Sequence, residues 1–236
     1  MKKAIANVSI VPMRAENSDK AEMVSQILFG ESMSIIETNK NWTKIKLDFD
    51  GYEGWVDTKQ ISPITEESLL RRKTCVVNLL YSCYDNQLIS IGSEVESNEE
   101  EKVIENPRDE ITKAAIGFIN TPYLWGGRSF FGIDCSGFTQ IVYKTVGIKI
   151  PRDAFQQAEM GEVLDFIEEA LPGDLAFFEN EEGKIIHVGI MLENNNIIHA
   201  HGKVRIDTLD SIGIFNKDQN KHTHKLRFIK TLVSKD

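Results

Sequence analysis

Cys135 is the residue whose type and position most strongly suggest chemistry. It stands between Asp134 and Ser136, at the start of a helix predicted over 134–146. Backbone N–H groups and the helix dipole stabilise an anion at a helix N-terminus. A thiolate is an anion, so we expect this position to lower the pKa of the Cys135 thiol and make it a nucleophile. The alternative is an inert, buried cysteine.

Two histidines are candidates for the base that a thiol nucleophile needs. His187 opens the apolar run 187–192, and His199 follows a second apolar run after the turn 194–196. The two runs predict an antiparallel hairpin with both histidines on one face, one as the base and the other orienting it. A turn centred on Asn195 would separate them by roughly 13 Å. Contact therefore requires a turn nearer Glu193 or a bulge. The alternative is one core histidine and one exposed histidine.

The other three histidines, His201, His222 and His224, are predicted to occupy surface or C-terminal strand positions.

The predicted elements change in type along the chain. Residues 1–65 read as short β-branched and aromatic strands, and Asp50-Gly51 predicts a hairpin turn, so a small β-barrel is expected. Residues 66–107 are predicted to be a connector with two strands. From 108 onward, helices at 109–119 and 134–146 precede antiparallel strands, which predicts an α+β domain.

Composition excludes several classes of protein. The net charge is −9 over 236 residues, and the run 92–110 alone holds eight acidic and two basic residues. This run predicts a solvated linker, and nucleic acid is not expected as a partner. Three cysteines without a C-x-x-C pair argue against a zinc site or a disulfide framework. No apolar run reaches the roughly 18–20 residues of a membrane helix, and 4–11 predicts a strand rather than a leader.

Six ordered blocks of the C-terminal half resemble the NlpC/P60 family of cysteine peptidases. These blocks are 122–128, 132–138, 151–154, 172–174, 187–190 and 198–200. The first 65 residues resemble a bacterial SH3 (SH3b) domain, with the run 51–56 typical of the end of such a unit. The combination is similar to the γ-D-glutamyl-L-diamino acid endopeptidases, also called dipeptidyl-peptidase VI.

The resemblance implies a fold and a division of the chain. A papain-like α+β catalytic domain at 108–236 would follow a small all-β SH3b barrel at 1–65. Residues 66–107 would form a β connector or a degenerate second SH3b unit.

The resemblance also implies catalytic roles. Cys135 would be the nucleophile, His187 the base and His199 the residue that orients His187. The Tyr123 hydroxyl would help the Cys135 backbone N–H to stabilise the oxyanion, a kind of donor worth roughly 3–4 kcal/mol. Tyr123 is otherwise interpreted as a core aromatic residue. No metal or other cofactor is implied.

Substrate contacts follow from the same resemblance. Asp134 would meet the free amine of an L-Ala-γ-D-Glu unit, or act as the N-cap of its helix. Tyr52 would close the far end of the pocket, and Glu31 would be a second acidic contact or else part of a solvated loop. Trp125 would wall the pocket or lie in the core.

The D-Glu carboxylate has its own predicted contacts. Ser136, Arg152 and Asp153 would line the region that holds this group, with an ion pair from Arg152 to Asp153 or Asp174 as the alternative. Ala154 stands where some relatives have a serine. His201 adds a titratable group near His199.

These residues predict hydrolysis of the bond between γ-D-Glu and diaminopimelate or lysine in murein peptides with a free N-terminal L-Ala. The alternatives are a D,L-endopeptidase acting on intact cell wall and a non-catalytic murein-binding module. A cytoplasmic monomer without membrane contact is expected, or a periplasmic or secreted one if a leader has been removed.

Overall fold

The protein is described here by a computed structural model that covers residues 2–98 and 104–233. The described residues divide into two compact units. An N-terminal unit contains 2–98 together with 124–132, and a C-terminal unit contains 104–123 together with 133–233. Residues 99–103, in the middle of the predicted acidic linker, lie outside the described residues. Among the described residues, no helix has the length and apolar composition needed to cross a membrane.

A seven-stranded antiparallel sheet forms most of the N-terminal unit. Its strands are β1 (Lys3–Ala6), β2 (Ile10–Arg14), β3 (Met23–Leu28), β4 (Ser32–Asn39), β5 (Trp42–Leu47), β6 (Glu53–Asp57) and β7 (Ile61–Ile64), with a 310 helix at Thr58–Gln60. Their order across the sheet is β3-β2-β6-β5-β4-β1-β7. Alternating residues such as Val11, Met13 and Ile45 point into one buried core, as the period of two in a strand requires. The Asp50-Gly51 turn joins β5 to β6 as predicted, with Gly51 at φ +76°.

The strands of this sheet are more numerous than the sequence analysis predicts. The predicted strand 4–11 is two strands, β1 and β2, and β7 was not predicted. The segment 66–98 adds α1 (Glu66–Arg71), β8 (Thr74–Val76), β9 (Tyr81–Tyr84), β10 (Gln87–Ser90) and β11 (Glu94–Glu96). These four strands form two small hairpin-like sheets, β9 with β10 and β8 with β11.

A buried ion pair holds the segment 124–132 within the N-terminal unit. The Arg128 guanidinium donates to both carboxylate oxygens of Glu31, at 2.9 and 3.0 Å, and to the Gln26 backbone carbonyl at 2.6 Å. Glu31 also accepts from the backbone N–H of Leu28. Both side chains are at most 1% exposed. Breaking such a pair from one side leaves an uncompensated buried charge.

We expect Glu31→Gln to destabilise the N-terminal unit by about 3–5 kcal/mol, because it leaves the Arg128 guanidinium buried without its anion. Urea unfolding followed by tryptophan fluorescence isolates this unit, since Trp42, Trp55 and Trp125 all lie in it. Glu53→Gln is the matched control. The Glu53 carboxylate is 3.8 Å from the exposed Lys44 amine, so its loss should cost less than about 1 kcal/mol. Equal losses in the two variants would contradict the structural importance of the buried pair.

Helices and a β-barrel make up the C-terminal unit. The helices are α2 (Pro107–Gly117), α3 (Cys135–Lys144) and α4 (Ala154–Gln157), with a 310 helix at Ile167–Glu169. Before α3 come β12 (Arg128–Ser129), which lies in the N-terminal unit, and β13 (Gly132–Ile133). The remaining strands are β14 (Glu162–Leu164), β15 (Leu175–Glu179), β16 (Ile185–Met191), β17 (Asn196–His201), β18 (Lys203–Leu209), β19 (Gly213–Asn216) and β20 (Lys221–Thr231).

Six of these strands close into a barrel in the order β15-β16-β17-β18-β19-β20. Closure occurs because β20 pairs with β15 along one edge and with β19 along the other. The α+β, papain-like class with an all-β N-terminal part is confirmed. The closed barrel, with its strands β18 and β19, is an addition that the sequence analysis does not contain.

The helix α3 is the central helix of this unit. Every one of its ten residues is buried, and it contacts β16 and β17. Gly147, at φ +78°, follows the helix as expected of a C-terminal stop. The first residue of this buried helix is Cys135, so the most buried helix fixes the position of the candidate nucleophile.

Candidate active site

Cys135 begins α3, and Asp134 is the N-cap of that helix. The Asp134 Oδ1 atom accepts from the Gly137 backbone N–H at 2.7 Å. The Cys135 side chain is 8% exposed, which leaves the thiol at the floor of a cleft rather than on an open surface. The predicted N-cap interaction is therefore present.

Arg152 binds the N-cap carboxylate from the other side. Its guanidinium donates to Asp134 Oδ1 at 3.0 Å, to Asp134 Oδ2 at 2.5 Å and to the Ser136 hydroxyl at 3.0 Å. The alternative in which Arg152 pairs with Asp174 is wrong, and a pair between Arg152 and Asp153 stays a prediction. The Asp174 carboxylate instead accepts from Arg108 at 2.9 Å, and Asp153 is the N-cap of α4. Asp134, Ser136 and Arg152 thus form one buried hydrogen-bonded cluster beside Cys135.

The two candidate histidines are in direct contact. His187 Nε2 lies 2.9 Å from His199 Nδ1. The pairing of Ile190 with Ile198 and of Met191 with Ile197 centres the turn on Asn194. His199 is therefore two residues from the position opposite His187, a diagonal offset within reach of aromatic side chains. The predicted contact forms, and the arrangement with one core and one exposed histidine is wrong, because His187 is 5% exposed and His199 is fully buried.

Gly189 leaves the space that this contact needs. A Cβ atom built on Gly189 would lie 2.9 Å from the Cβ of His199. Real Cβ atoms do not approach so closely, so a larger residue at 189 would push His199 away from His187.

A cleft of about 350 Å³ opens at the thiol. It is lined by Tyr123, Cys135, Ile186, His187, Ala200, His201, Gly202 and His224. Tyr123 reaches it because its backbone N–H donates to the Gly202 carbonyl at 3.0 Å. The structure therefore brings Cys135, His187 and Tyr123 to one cleft, with His199 behind His187.

Burial is the main cause of the pKa shifts at the nucleophile. Burial, and after it the negative charge of Asp134, raises the pKa of the Cys135 thiol to about 12. Backbone N–H groups of Val188 and Ser136 act in the opposite direction but do not outweigh burial. The expected lowering of the pKa at the helix N-terminus is thus wrong, since desolvation of the thiolate is the larger effect.

Tyr123 and His187, two other titratable groups of the cleft, are also held neutral. Burial, then the nearby Cys135 and Asp134, raise the pKa of Tyr123 to about 12, so its hydroxyl keeps the proton that an oxyanion donor needs. Burial lowers the pKa of His187 well below 6.5, and the neighbouring histidines lower it further. A neutral imidazole at neutral pH can accept a proton from the thiol.

His224 and His201 were placed at the surface or in a C-terminal strand by the sequence analysis. Both line the cleft. The His224 ring stacks on the His187 ring with centroids 4.2 Å apart, and burial lowers the pKa of His224 to about 4. Among residues 2–98 and 104–233, no group of three histidine, cysteine or carboxylate side chains is arranged to hold a metal ion.

Three residues predicted to bind substrate belong to the N-terminal unit and are described there. Glu31 lies in the buried pair with Arg128, so its interpretation as a solvated loop residue is wrong. Trp125 is 62% exposed and its indole N–H donates to Glu22 at 2.6 Å, so it is not a core tryptophan. Tyr52 packs against the core of the sheet, and its backbone N–H donates to Asp50.

Asp207 is a residue of this region that the sequence analysis missed. Its carboxylate lies 3.1 Å from His199 Nε2, on the far side from His187. The pattern that could have revealed it is alternation after Gly202: in a hairpin turning there, odd-numbered residues such as His199, Arg205 and Asp207 share a face.

Comparison with known proteins identifies both parts of the chain. Residues 120–223 match the sequence profile of the NlpC/P60 family. The chain carries an NlpC/P60 domain. Residues 13–61 match the profile described as the bacterial dipeptidyl-peptidase SH3 domain. The family resemblance stated from the sequence blocks is therefore confirmed.

Similar proteins include two named peptidases. The γ-D-glutamyl-L-lysine dipeptidyl-peptidase of Bacillus cereus is 28% identical over 230 residues, covering 78% of this chain and 68% of that protein. Dipeptidyl-peptidase 6 of Lysinibacillus sphaericus is 26% identical over 257 residues, covering 88% and 92%. The crystal structure of an NlpC/P60 family protein from Bacillus cereus superposes with a TM-score of 0.79 at 20% identity, covering 97% of this chain and 99% of that one. This last likeness shows the fold.

The raised pKa of Cys135 predicts slow chemical modification in the resting protein. At pH 7 we expect iodoacetamide to label Cys135 at least about tenfold more slowly than Cys75 and Cys83, because those two thiols are exposed. Peptide mass spectrometry over a time course distinguishes the three sites within one sample. Labelling of Cys135 at pH 6 as fast as that of the exposed thiols would show a thiolate in the resting site, contrary to this account.

Proposed function

We propose that the protein hydrolyses the amide bond between the γ-carboxyl group of D-Glu and an L-diamino acid in murein peptides, and that it releases L-Ala-γ-D-Glu. The observation that carries the proposal is the buried His187–His199 contact beside a thiol at the floor of an open cleft. A thiol, a neutral imidazole and a second group that orients the imidazole are the parts that nucleophilic acyl transfer requires. The names of the similar proteins support the choice of substrate.

In the first half of the reaction, the Cys135 sulfur attacks the γ-carbonyl carbon while His187 takes the thiol proton. The negative charge on the carbonyl oxygen is stabilised by hydrogen bonds from the Cys135 backbone N–H and the Tyr123 hydroxyl. His187 then gives its proton to the nitrogen of the diamino acid as the C–N bond breaks. The products of this half are the free diamino acid and a thioester on Cys135.

In the second half, water attacks the thioester and His187 removes one of its protons. The tetrahedral intermediate collapses with cleavage of the C–S bond. Its γ-carboxyl group leaves as part of L-Ala-γ-D-Glu and releases the second proton of the water to solvent, while the proton on His187 returns to Cys135. The enzyme is regenerated, and neither step changes an oxidation state.

The contact between Asp134 and the substrate amine stays a prediction, and the structure adds a condition to it. The Asp134 carboxylate already accepts from Arg152 at both oxygens and from the Gly137 backbone N–H. An amine would therefore join an existing cluster, and the positive charge of Arg152 would oppose it. The contacts predicted for Glu31, Tyr52, Trp125 and Asp153 likewise stay predictions.

The same proposal places the protein in the cytoplasm, as a monomer acting on peptides already released from the wall. One observation supports the choice of compartment. Cys75 and Cys83 are exposed thiols without a disulfide partner, which suits a reducing compartment.

Mass spectrometry of defined peptides tests the proposal. We expect the protein to cleave L-Ala-γ-D-Glu-L-Lys or its diaminopimelate counterpart, and not the N-acetylated forms, because acetylation removes the positive charge and two of the three N–H donors that the proposed contact with Asp134 uses. Cys135→Ala should lose on the order of 10⁴-fold or more in kcat/KM. Cys75→Ala, which removes an exposed thiol instead, should keep full activity.

Two other results would change the assignment. Cleavage of free and N-acetylated peptides alike would indicate an endopeptidase that acts on intact cell wall. Binding without cleavage of either would indicate a murein-binding module.

A further inference from the structure

A carboxylate and a guanidinium lie behind the two histidines. The Asp207 Oδ2 atom is 3.1 Å from His199 Nε2, and both side chains are fully buried. Arg205 donates to Asp207 Oδ2 from Nε at 2.7 Å and to Oδ1 from Nη2 at 2.9 Å. Arg205 is in turn 2.9 Å from the exposed carboxylate of Asp218. The row therefore runs from the cleft as His187, His199, Asp207 and Arg205, and Asp218 lies outside it at the surface.

The β17–β18 hairpin places this row. Its turn centres on Gly202, at φ +71°, and His199 pairs with Arg205 across the ladder while Ile197 pairs with Asp207. Residues paired across an antiparallel ladder share a face, and residues two apart on a strand do so as well. His199, Arg205 and Asp207 therefore point to the same side.

The hydrogen bonds in this row can have one direction only. An ionised carboxylate accepts and never donates, so His199 must carry its proton on Nε2. A neutral His199 then offers a lone pair at Nδ1, and the proton in the 2.9 Å contact must come from His187 Nε2. A neutral His187 with a proton on Nε2 has an unprotonated Nδ1, which is the nitrogen left to act as base.

We infer that Asp207, held by Arg205, is a positioning residue of the active site: it fixes the tautomer of His199, which fixes the tautomer of His187 and leaves His187 Nδ1 free to take the Cys135 proton. Asp207 touches neither substrate nor Cys135 and acts through the two imidazoles. The inference about catalysis rests on the proposed function. The inference about tautomers rests on the hydrogen-bond geometry.

The protonation states around His199 fit this role. Burial, the largest single influence, would raise the pKa of Asp207, but the hydrogen bonds from His199 and Arg205 outweigh it and hold the pKa at about 2. Burial lowers the pKa of His199 despite the opposing effect of Asp207. The titratable and charged groups that face His199 are His187, His201, His224, Asp207 and Arg205. At neutral pH the row thus combines an anionic Asp207 with neutral imidazoles.

Asp207→Asn tests the inference with an almost isosteric change. An amide offers one acceptor oxygen where Asp207 offers two, and its NH₂ group can donate to His199 Nε2 and reverse the row. The same change in a serine-protease triad costs about 10⁴ in kcat through the wrong tautomer. Here we expect kcat for L-Ala-γ-D-Glu-L-Lys to fall by at least about 10²-fold, with KM changed less than about threefold.

Asp218→Asn is the matched control. It removes the same charge from the other side of Arg205, at an exposed position that does not touch His199. We expect its kcat to stay within about twofold of the unchanged protein. Unchanged kcat in Asp207→Asn, or equal losses in the two variants, would overturn the inference.

A second readout does not depend on the substrate. The rate of Cys135 alkylation at pH 8 should fall at least about tenfold in Asp207→Asn and not in Asp218→Asn, with Cys75 and Cys83 as internal references. If the unchanged protein cleaves no murein peptide, the proposed function fails while this readout still decides the positioning role. If Asp207→Asn does not fold, Arg205→Lys replaces it, since lysine cannot hold both carboxylate oxygens. Equal alkylation rates in that variant and the unchanged protein would then overturn the inference.

Discussion

The N–H···N hydrogen bond between His187 and His199 is the interaction on which the rest of the site depends. Two imidazoles can form it only if one donates and the other accepts, and nothing in the pair itself decides which. The choice decides whether the nitrogen of His187 nearest the nucleophile is a base or is already protonated. A buried anion on the far side of His199 resolves it, because an anion accepts and cannot donate.

The barrel positions the members of this row. β16 carries His187, β17 carries His199 and β18 carries Asp207, on three neighbouring strands of a closed sheet. Closure leaves no free edge between β15 and β20 along which these strands could slip, so the register that joins the three side chains is held firmly. The thiol comes from a different layer, the buried helix α3, which packs on β16 and β17. Burial then keeps the thiol and both imidazoles neutral until a substrate arrives.

Much of this arrangement could be predicted from local patterns. The helix that begins at Cys135, the hairpin carrying two histidines and the Asp50-Gly51 turn all follow from short-range signals of periodicity and turn chemistry. The contact between His187 and His199 forms because the turn is centred on Asn194. A turn centred one residue later, on Asn195, would separate the two side chains. Sequence alone could not settle that difference, because three asparagines in a row each tolerate a turn conformation.

Other features could not be predicted because they depend on contacts distant in sequence. Glu31 looks like an exposed turn residue until its partner Arg128, 97 residues away, is seen. Arg152 looks like a partner for its neighbour Asp153, and its bond to Asp134, 18 residues away in the sequence, becomes visible only in the folded structure. The pKa of the Cys135 thiol also depends on contacts distant in sequence. The helix N-terminus alone predicts a lowered pKa, but burial, which only the tertiary structure sets, raises it. Asp207 was missed because β18 was not recognised as a strand.

The resting site holds a neutral thiol and a His187 whose proton lies on Nε2. Nitrogen NMR of the full-length protein with ¹⁵N-labelled histidine measures this directly at neutral pH, with the His187 signals assigned by substitution. The account predicts one protonated nitrogen, Nε2, and one unprotonated nitrogen, Nδ1, in the His187 ring. A proton on Nδ1 alone, or on both nitrogens as in a thiolate–imidazolium pair, would contradict it.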